Sequence, residues 1–169
     1  NFKIKGLNAT NLAKQSNLIN KTITNNKIND KKFLLLNLNS NQNIILIKIQ
    51  NNVSSFENEK LGAQFYNFIN TNSIFSSTFI ENNIKEIVNK NKNFLDEFFH
   101  GTQLKSYEFN KYKSKKKTNL FEINVIDKKN ILKFNQNKRF NSLVKGTNFT
   151  KDLVSEPGNI LHPDEYARR

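Results

Sequence analysis

The sequence predicts an α/β fold: a mostly parallel sheet flanked by helices in a three-layer arrangement. Strand-like apolar runs alternate with helically spaced apolar residues from position 32 onward. Such alternation, joined by right-handed crossovers, yields parallel strands covered by helices. A length of 169 residues allows one domain with a proper core.

Residues 1–31 are ambiguous, with Phe2-Lys-Ile-Lys5 alternating like a short strand before Asn-rich text. Residues 32–38 and 43–49 are short apolar runs parted by Asn39-Ser-Asn-Gln42. They read as two strands joined by a turn, the second rich enough in Ile to be buried on both faces. Ser54-Ser55 offers a helix cap, followed by Leu61, Phe65, Phe68 and Ile69 at helical spacing. Residues 73–80 form the next strand, and Phe94, Leu95, Phe98, Phe99, Thr102 and Tyr107 mark a helix of about four turns. Residues 120–126 alternate cleanly and make another strand. A helix over 138–154 gathers Phe140, Leu143, Val144, Thr147 and Val154 near one face.

That helix runs into Pro157-Gly158, a turn signal. Pro163 then suits the first turn of a new helix, with Asp164 and Glu165 beside its positive end. The expected organisation is an α/β domain over 1–137, a linker helix over 138–156 and the start of a further domain over 157–169. The chain contains no Met and stops at Arg169 just after this helix start, which reads as a cut.

The net charge of +13 and 19 aromatics (15 Phe, 4 Tyr) raise nucleic acid as a partner. The excess, however, is in Asn, Lys, Ile and Phe together, the joint bias that an A+T-rich genome imposes. Arg stands only at 139, 168 and 169, whereas base and phosphate recognition favour the Arg fork. The densest basic run, 111–117, reads as a solvated loop. With no Cys, disulfides and thiolate metal sites are excluded, and no run of about 18 apolar residues could cross a membrane.

No catalytic constellation stands out. His100 and His162 are far apart with no carboxylate at metal-ligand spacing. The adjacent acids Asp96-Glu97 and Asp164-Glu165 do not converge from neighbouring helix positions. Gly101 inside a helical pattern reads as a close-packing position. Tyr107, Phe109 and Tyr112 read as core and helix-end packing in preference to a base-stacking platform.

Three blocks carry a family resemblance. The last, Phe149 to Arg169, keeps Lys151, Asp152, Leu153, Pro157, Asn159 and Pro163 at the spacing Arg/Lys-Asp-Leu-x-Asn-x-Pro-x-Asn-x-x-x-Pro, with Ser155 where Asn is usual. The second places Gly101 ahead of Tyr107, Phe109, Tyr112 and Lys113, a Gly followed by Tyr-x-Phe-x-x-Tyr-Lys. The third is Glu59-Lys-Leu-Gly-Ala-Gln-Phe-Tyr66. Taken in chain order, 59–66, 101–113 and 149–169, they resemble the leucyl aminopeptidase (cytosol aminopeptidase) family over residues 44–169. The strand ending at Gln50 lacks the Gly-Leu-Gly that often follows it in that family.

The resemblance implies a macro-domain-like N-terminal domain leading into a peptidase domain. It implies a cytoplasmic, hexameric parent enzyme that releases N-terminal residues from peptides, leucine preferred, by a two-metal mechanism with zinc, manganese or magnesium. The metal-binding and catalytic residues would lie beyond position 169, leaving this segment as a scaffold without metal or catalytic residues. Two other readings stay open: a free-standing basic α/β domain binding nucleic acid or a nucleotide-like ligand, and a structural partner protein with neither activity nor ligand.

Overall fold

A computed structural model describes residues 16–25, 31–50, 53–80, 93–114, 121–127, 130–132 and 138–168. The expected strand at Phe2–Lys5, most of the Asn-rich stretches at 82–83 and 89–93, and Lys115–Lys117 lie outside them. The chain divides into two compact units.

The first unit contains helix α1 (Ser16–Asn25) and the strands β1 (Phe33–Asn39) and β2 (Gln42–Ile47). Ser40 and Asn41 join these strands, and so short a connection makes the pair antiparallel. Asn39 shapes the turn, its Oδ1 accepting from the Asn41 backbone N–H at 2.9 Å. Leu34 opposes Leu46 and Leu36 opposes Ile44, with a register shift between Asn37 and Asn39. Leu34, Leu36, Leu38, Ile44 and Leu46 gather around Ile19 of α1.

This corrects two expectations. β2 is only half-buried along Ile44–Ile47, to a similar degree on both faces, where full burial on both faces was expected. Residues 16–25 are helical where the sequence looked ambiguous, and the fully buried Ile19 shows what holds them there. The same unit holds most of a three-stranded sheet in the order β3 (Ser76–Ile80), β4 (Glu122–Asp127), β5 (Asn130–Leu132). β4 and β5 are antiparallel, pairing Val125 with Leu132 and Asp127 with Asn130. The fold is thus mixed α/β, and its described sheets are small, with antiparallel pairing wherever the register is described.

The second unit is built on α2 (Ser55–Thr71) and α3 (Phe94–Ser106). Ser54 caps α2 as expected, its side chain accepting from the Glu57 N–H at 3.3 Å. Leu61, Phe65 and Ile69 recur at helical spacing and are buried, with Phe68 half-buried. On α3, Phe94, Phe98 and Phe99 are buried. Phe65 meets Phe98 at 5.3 Å between ring centroids, and Phe98 meets Phe94 and Phe99 at 5.8 and 5.5 Å. Such tilted and edge-on pairs add to the area they bury.

Glycines set how closely these helices approach. A Cβ on Gly62 would stand 1.8 Å from the Phe98 carbonyl oxygen, and one on Gly101 would stand 1.9 Å from that of Glu59. Each helix therefore lays a bare backbone against the other. Thr102 fills the crossing, its hydroxyl shared between the carbonyls of Gly62 (3.1 Å) and Phe98 (2.9 Å).

Helix α4 (Lys138–Ser155) packs on α3, and α5 (Pro163–Arg168) follows. The expected apolar face of α4 is real but only partly used. Phe140 lies against His100 at 4.8 Å between ring centroids, whereas Val154 is 81% exposed and Leu143 is also exposed. No residue of α4 is fully buried.

Gly101→Ala and Gly62→Ala should each destabilise the protein by about 2 kcal/mol or more, since backbone must move to admit the methyl group. Gly146 of α4 has nothing within 4 Å of an added Cβ. Gly146→Ala should therefore stabilise by about 1 kcal/mol through helix propensity alone. Urea denaturation midpoints of the three variants check both signs, and equal shifts at all three positions would contradict the close crossing.

Candidate functional site

Two groups of polar residues in the second unit rise above surface decoration. The first lines the approach of α2 and α3. Ser55 Oγ donates to Glu97 Oε1 at 2.6 Å, and Asn58 Nδ2 donates to Glu97 Oε2 at 2.7 Å. One turn on, Glu59 Oε1 lies 2.9 Å from His100 Nδ1. Ser55 and Asn58 stand in the first turn of α2 and Glu97 in the first turn of α3, so these contacts bring the two helix starts together. Their N-terminal ends converge on Glu97, and the positive ends of two helix dipoles favour a carboxylate there. A buried carboxylate needs such partners, and charge-assisted hydrogen bonds supply them.

Sequence reading missed this group, because adjacent acids on one helix point to different neighbours. Glu97 turns inward while Asp96 is only half-buried. The signal was its position: Glu97 sits three residues after Phe94 and one before Phe98, inside the apolar stripe.

The second group joins the segment after α3 to the end of α4, and it unites motif residues far apart in sequence. Tyr107 is the C-cap of α3, and its hydroxyl donates to Asp152 Oδ1 at 2.7 Å. Lys151 Nζ donates to the Leu104 carbonyl at 2.8 Å and lies 5.0 Å from the centre of the Tyr107 ring. A cation there meets both the negative end of α3 and an aromatic face. Just past the end of α4, Glu156 accepts from Lys111 Nζ at Oε1 and from the Tyr112 hydroxyl at Oε2. The Glu156 side chain is 1% exposed.

The motif residues therefore divide. Tyr107, Tyr112, Lys151 and Asp152 meet in one cluster, and Phe109 supports it with its ring 5.8 Å from that of Tyr112. Gly101 sits apart, against the Glu59 backbone at the helix crossing. Leu153 is half-buried on α4, and its carbonyl shares the Glu156 N–H with that of Asp152. Pro157 and Asn159 lie exposed in the turn, where the Pro157 carbonyl accepts from the N–H groups of Ile160 and Leu161 at 2.9 Å. Pro163 opens α5. Glu156 was not singled out from the sequence, and Lys111 entered only as the start of the basic run 111–117. Residues 111–114 are exposed as expected, yet Lys111 is committed to an ion pair.

Among the described residues no group of three or more His, Cys, Asp or Glu side chains could hold a metal ion. Among them, too, no helix is long and apolar enough to cross a membrane.

The hydrogen bond to Glu156, and then partial desolvation, push the Tyr112 hydroxyl above its ordinary pKa of 10.0. A pKa raised by folding means a contribution fully present below about pH 10 and lost as pH rises through the folded value. Tyr112→Phe should thus lower the denaturation midpoint by a constant amount from about pH 7 to about pH 9, with the gap closing above about pH 10. A gap independent of pH across that range would contradict the Tyr112–Glu156 bond.

No family model matches the chain. Curated proteins called probable cytosol aminopeptidase do resemble it. The one from Rhodopseudomonas palustris (strain BisA53) is 36% identical over 73 residues, covering 41% of this chain and 15% of the relative. Those from Methylobacterium radiotolerans and Phytoplasma mali (strain AT) are each 36% identical over 78 residues, covering 43% of this chain and 16% of the relative. The chain thus spans about 15% of the length of the curated relatives it matches. Over that matching stretch the chain is similar to the leucyl aminopeptidase, or cytosol aminopeptidase, family.

Proposed function

We propose that this chain is the N-terminal part of a cytoplasmic leucyl aminopeptidase, an exopeptidase that releases N-terminal residues from peptides with two divalent metal ions. The observation that carries the reading is the similarity to cytosol aminopeptidases, at 36% identity over 73 residues. The meeting of Tyr107 and Tyr112 with the 151–156 stretch supports it, because both segments belong to motifs of that family. Residues 1–137 are the N-terminal domain, 138–156 the linker helix and 157–169 the entry to the peptidase domain.

In this reading the segment is a scaffold. Its buried acids are engaged by Ser55, Asn58, Lys111 and Tyr112, and the described residues do not fit a two-metal centre. Zinc, manganese or magnesium would be held by the rest of the enzyme, supplying Lewis acidity and an activated water there. What this chain contributes is a rigid support, with the tyrosines, Lys151, Asp152 and Leu153 fixing the junction and Pro157, Asn159 and Pro163 shaping the path beyond it. Assembly into a hexamer through this domain completes the proposal.

The test compares residues 1–169 with the gene extended to its natural stop, on a leucine chromogenic substrate with added manganese. Metal-dependent release by the extended protein alone is the expected result. Inactivity of the extended protein with manganese, zinc and magnesium in turn would overturn the peptidase reading, and activity of residues 1–169 alone would overturn the scaffold role.

A further inference from the structure

The relation between Glu156 and the chain that follows it points to a conformational role. Pro157 has no N–H to continue the helix, so α4 ends here for a covalent reason. Beyond it, residues 157–161 form a turn closed on the Pro157 carbonyl, and α5 contains no buried residue. A helix that buries no apolar face does not take its direction from core packing. The residue immediately before Pro157, by contrast, is among the most enclosed charged side chains described.

A carboxylate at that depth is costly unless it is paired. Glu156 is paired at both oxygens, by two successive residues of the segment that leaves α3. Two attachments on different oxygens fix the plane of the carboxylate as well as its position, which a single contact would not. Phe109 backs the Tyr112 ring edge-on, so the donor side is itself held. The Tyr107–Asp152 bond lies one turn earlier on α4 and prevents the helix end from pivoting about Glu156.

We propose that Glu156 is a junction lock: its buried carboxylate, gripped by Lys111 and Tyr112, sets the direction in which residues 157–168 leave the end of α4. The lock depends on charge and shape together. Glutamine keeps the shape but turns an amide N–H₂ toward one of two donors, and so breaks at least one attachment. The role is independent of the peptidase reading, since it concerns whatever the chain leads into.

The test is hydrogen exchange, read peptide by peptide, on the complete gene product and its Glu156→Gln variant. Amides across 157–168 should exchange at least about tenfold faster in the variant, while those of α2 and α3 keep their protection. The double variant Lys111→Met, Tyr112→Phe removes the donors from their exposed side and should reproduce the effect; it alone decides if Glu156→Gln does not fold. Unchanged exchange across 157–168, or acceleration spread equally over α2 and α3, would overturn the lock.

Discussion

The close approach of α2 and α3 is the constraint on which the rest of the second unit depends. It exists because Gly62 and Gly101 leave no side chain where each helix meets the other's carbonyl oxygen. Only at that separation can the Thr102 hydroxyl reach the Gly62 carbonyl across the gap and Phe65 reach Phe98. The same proximity lets Ser55 and Asn58 satisfy Glu97, and Glu59 meet His100. Polar groups that would be costly to bury alone thus become specific contacts between two helices in a fixed register. The register in turn fixes where α3 ends, and with it the position of Tyr107 and the residues after it.

From α3 the order passes to α4 by a different kind of contact. Few apolar atoms are committed there; α4 leaves Leu143, Phe149 and Val154 exposed. Tyrosines and lysines instead grip acids and a helix-end carbonyl: Tyr107 on Asp152, Lys151 on Leu104, Lys111 and Tyr112 on Glu156. Hydrogen bonds are directional where apolar contact is not, so a junction of this kind specifies orientation with little buried area.

Much of this was legible in the sequence wherever local periodicity and capping agreed. The Ser54 cap, the Leu61, Phe65 and Ile69 stripe, the Phe94 to Phe99 stripe and the helix start at Pro163 appear at their expected places. Gly101 was legible as a close-packing position, but its counterpart Gly62 was not, since one glycine does not name the surface it faces. α1 escaped notice because its helicity rests on burying Ile19 against a hairpin distant in sequence. The sheet was harder still. Alternation marks a strand but not its partner, and the short Ser40–Asn41 connection decides for an antiparallel pair where helix alternation suggested parallel ones. At the junction the motif residues were legible and their pairings were not; Glu156 entered only when α4 turned it onto Lys111 and Tyr112.

The helix crossing can be observed directly by nuclear Overhauser contacts in the labelled protein. Strong cross-peaks are expected from the Gly62 Hα protons to the backbone of Phe98–Thr102, and from the Gly101 Hα protons to the backbone of Glu59. Their absence, with α2 and α3 in contact only through longer side chains, would contradict the glycine-mediated approach and everything positioned by it.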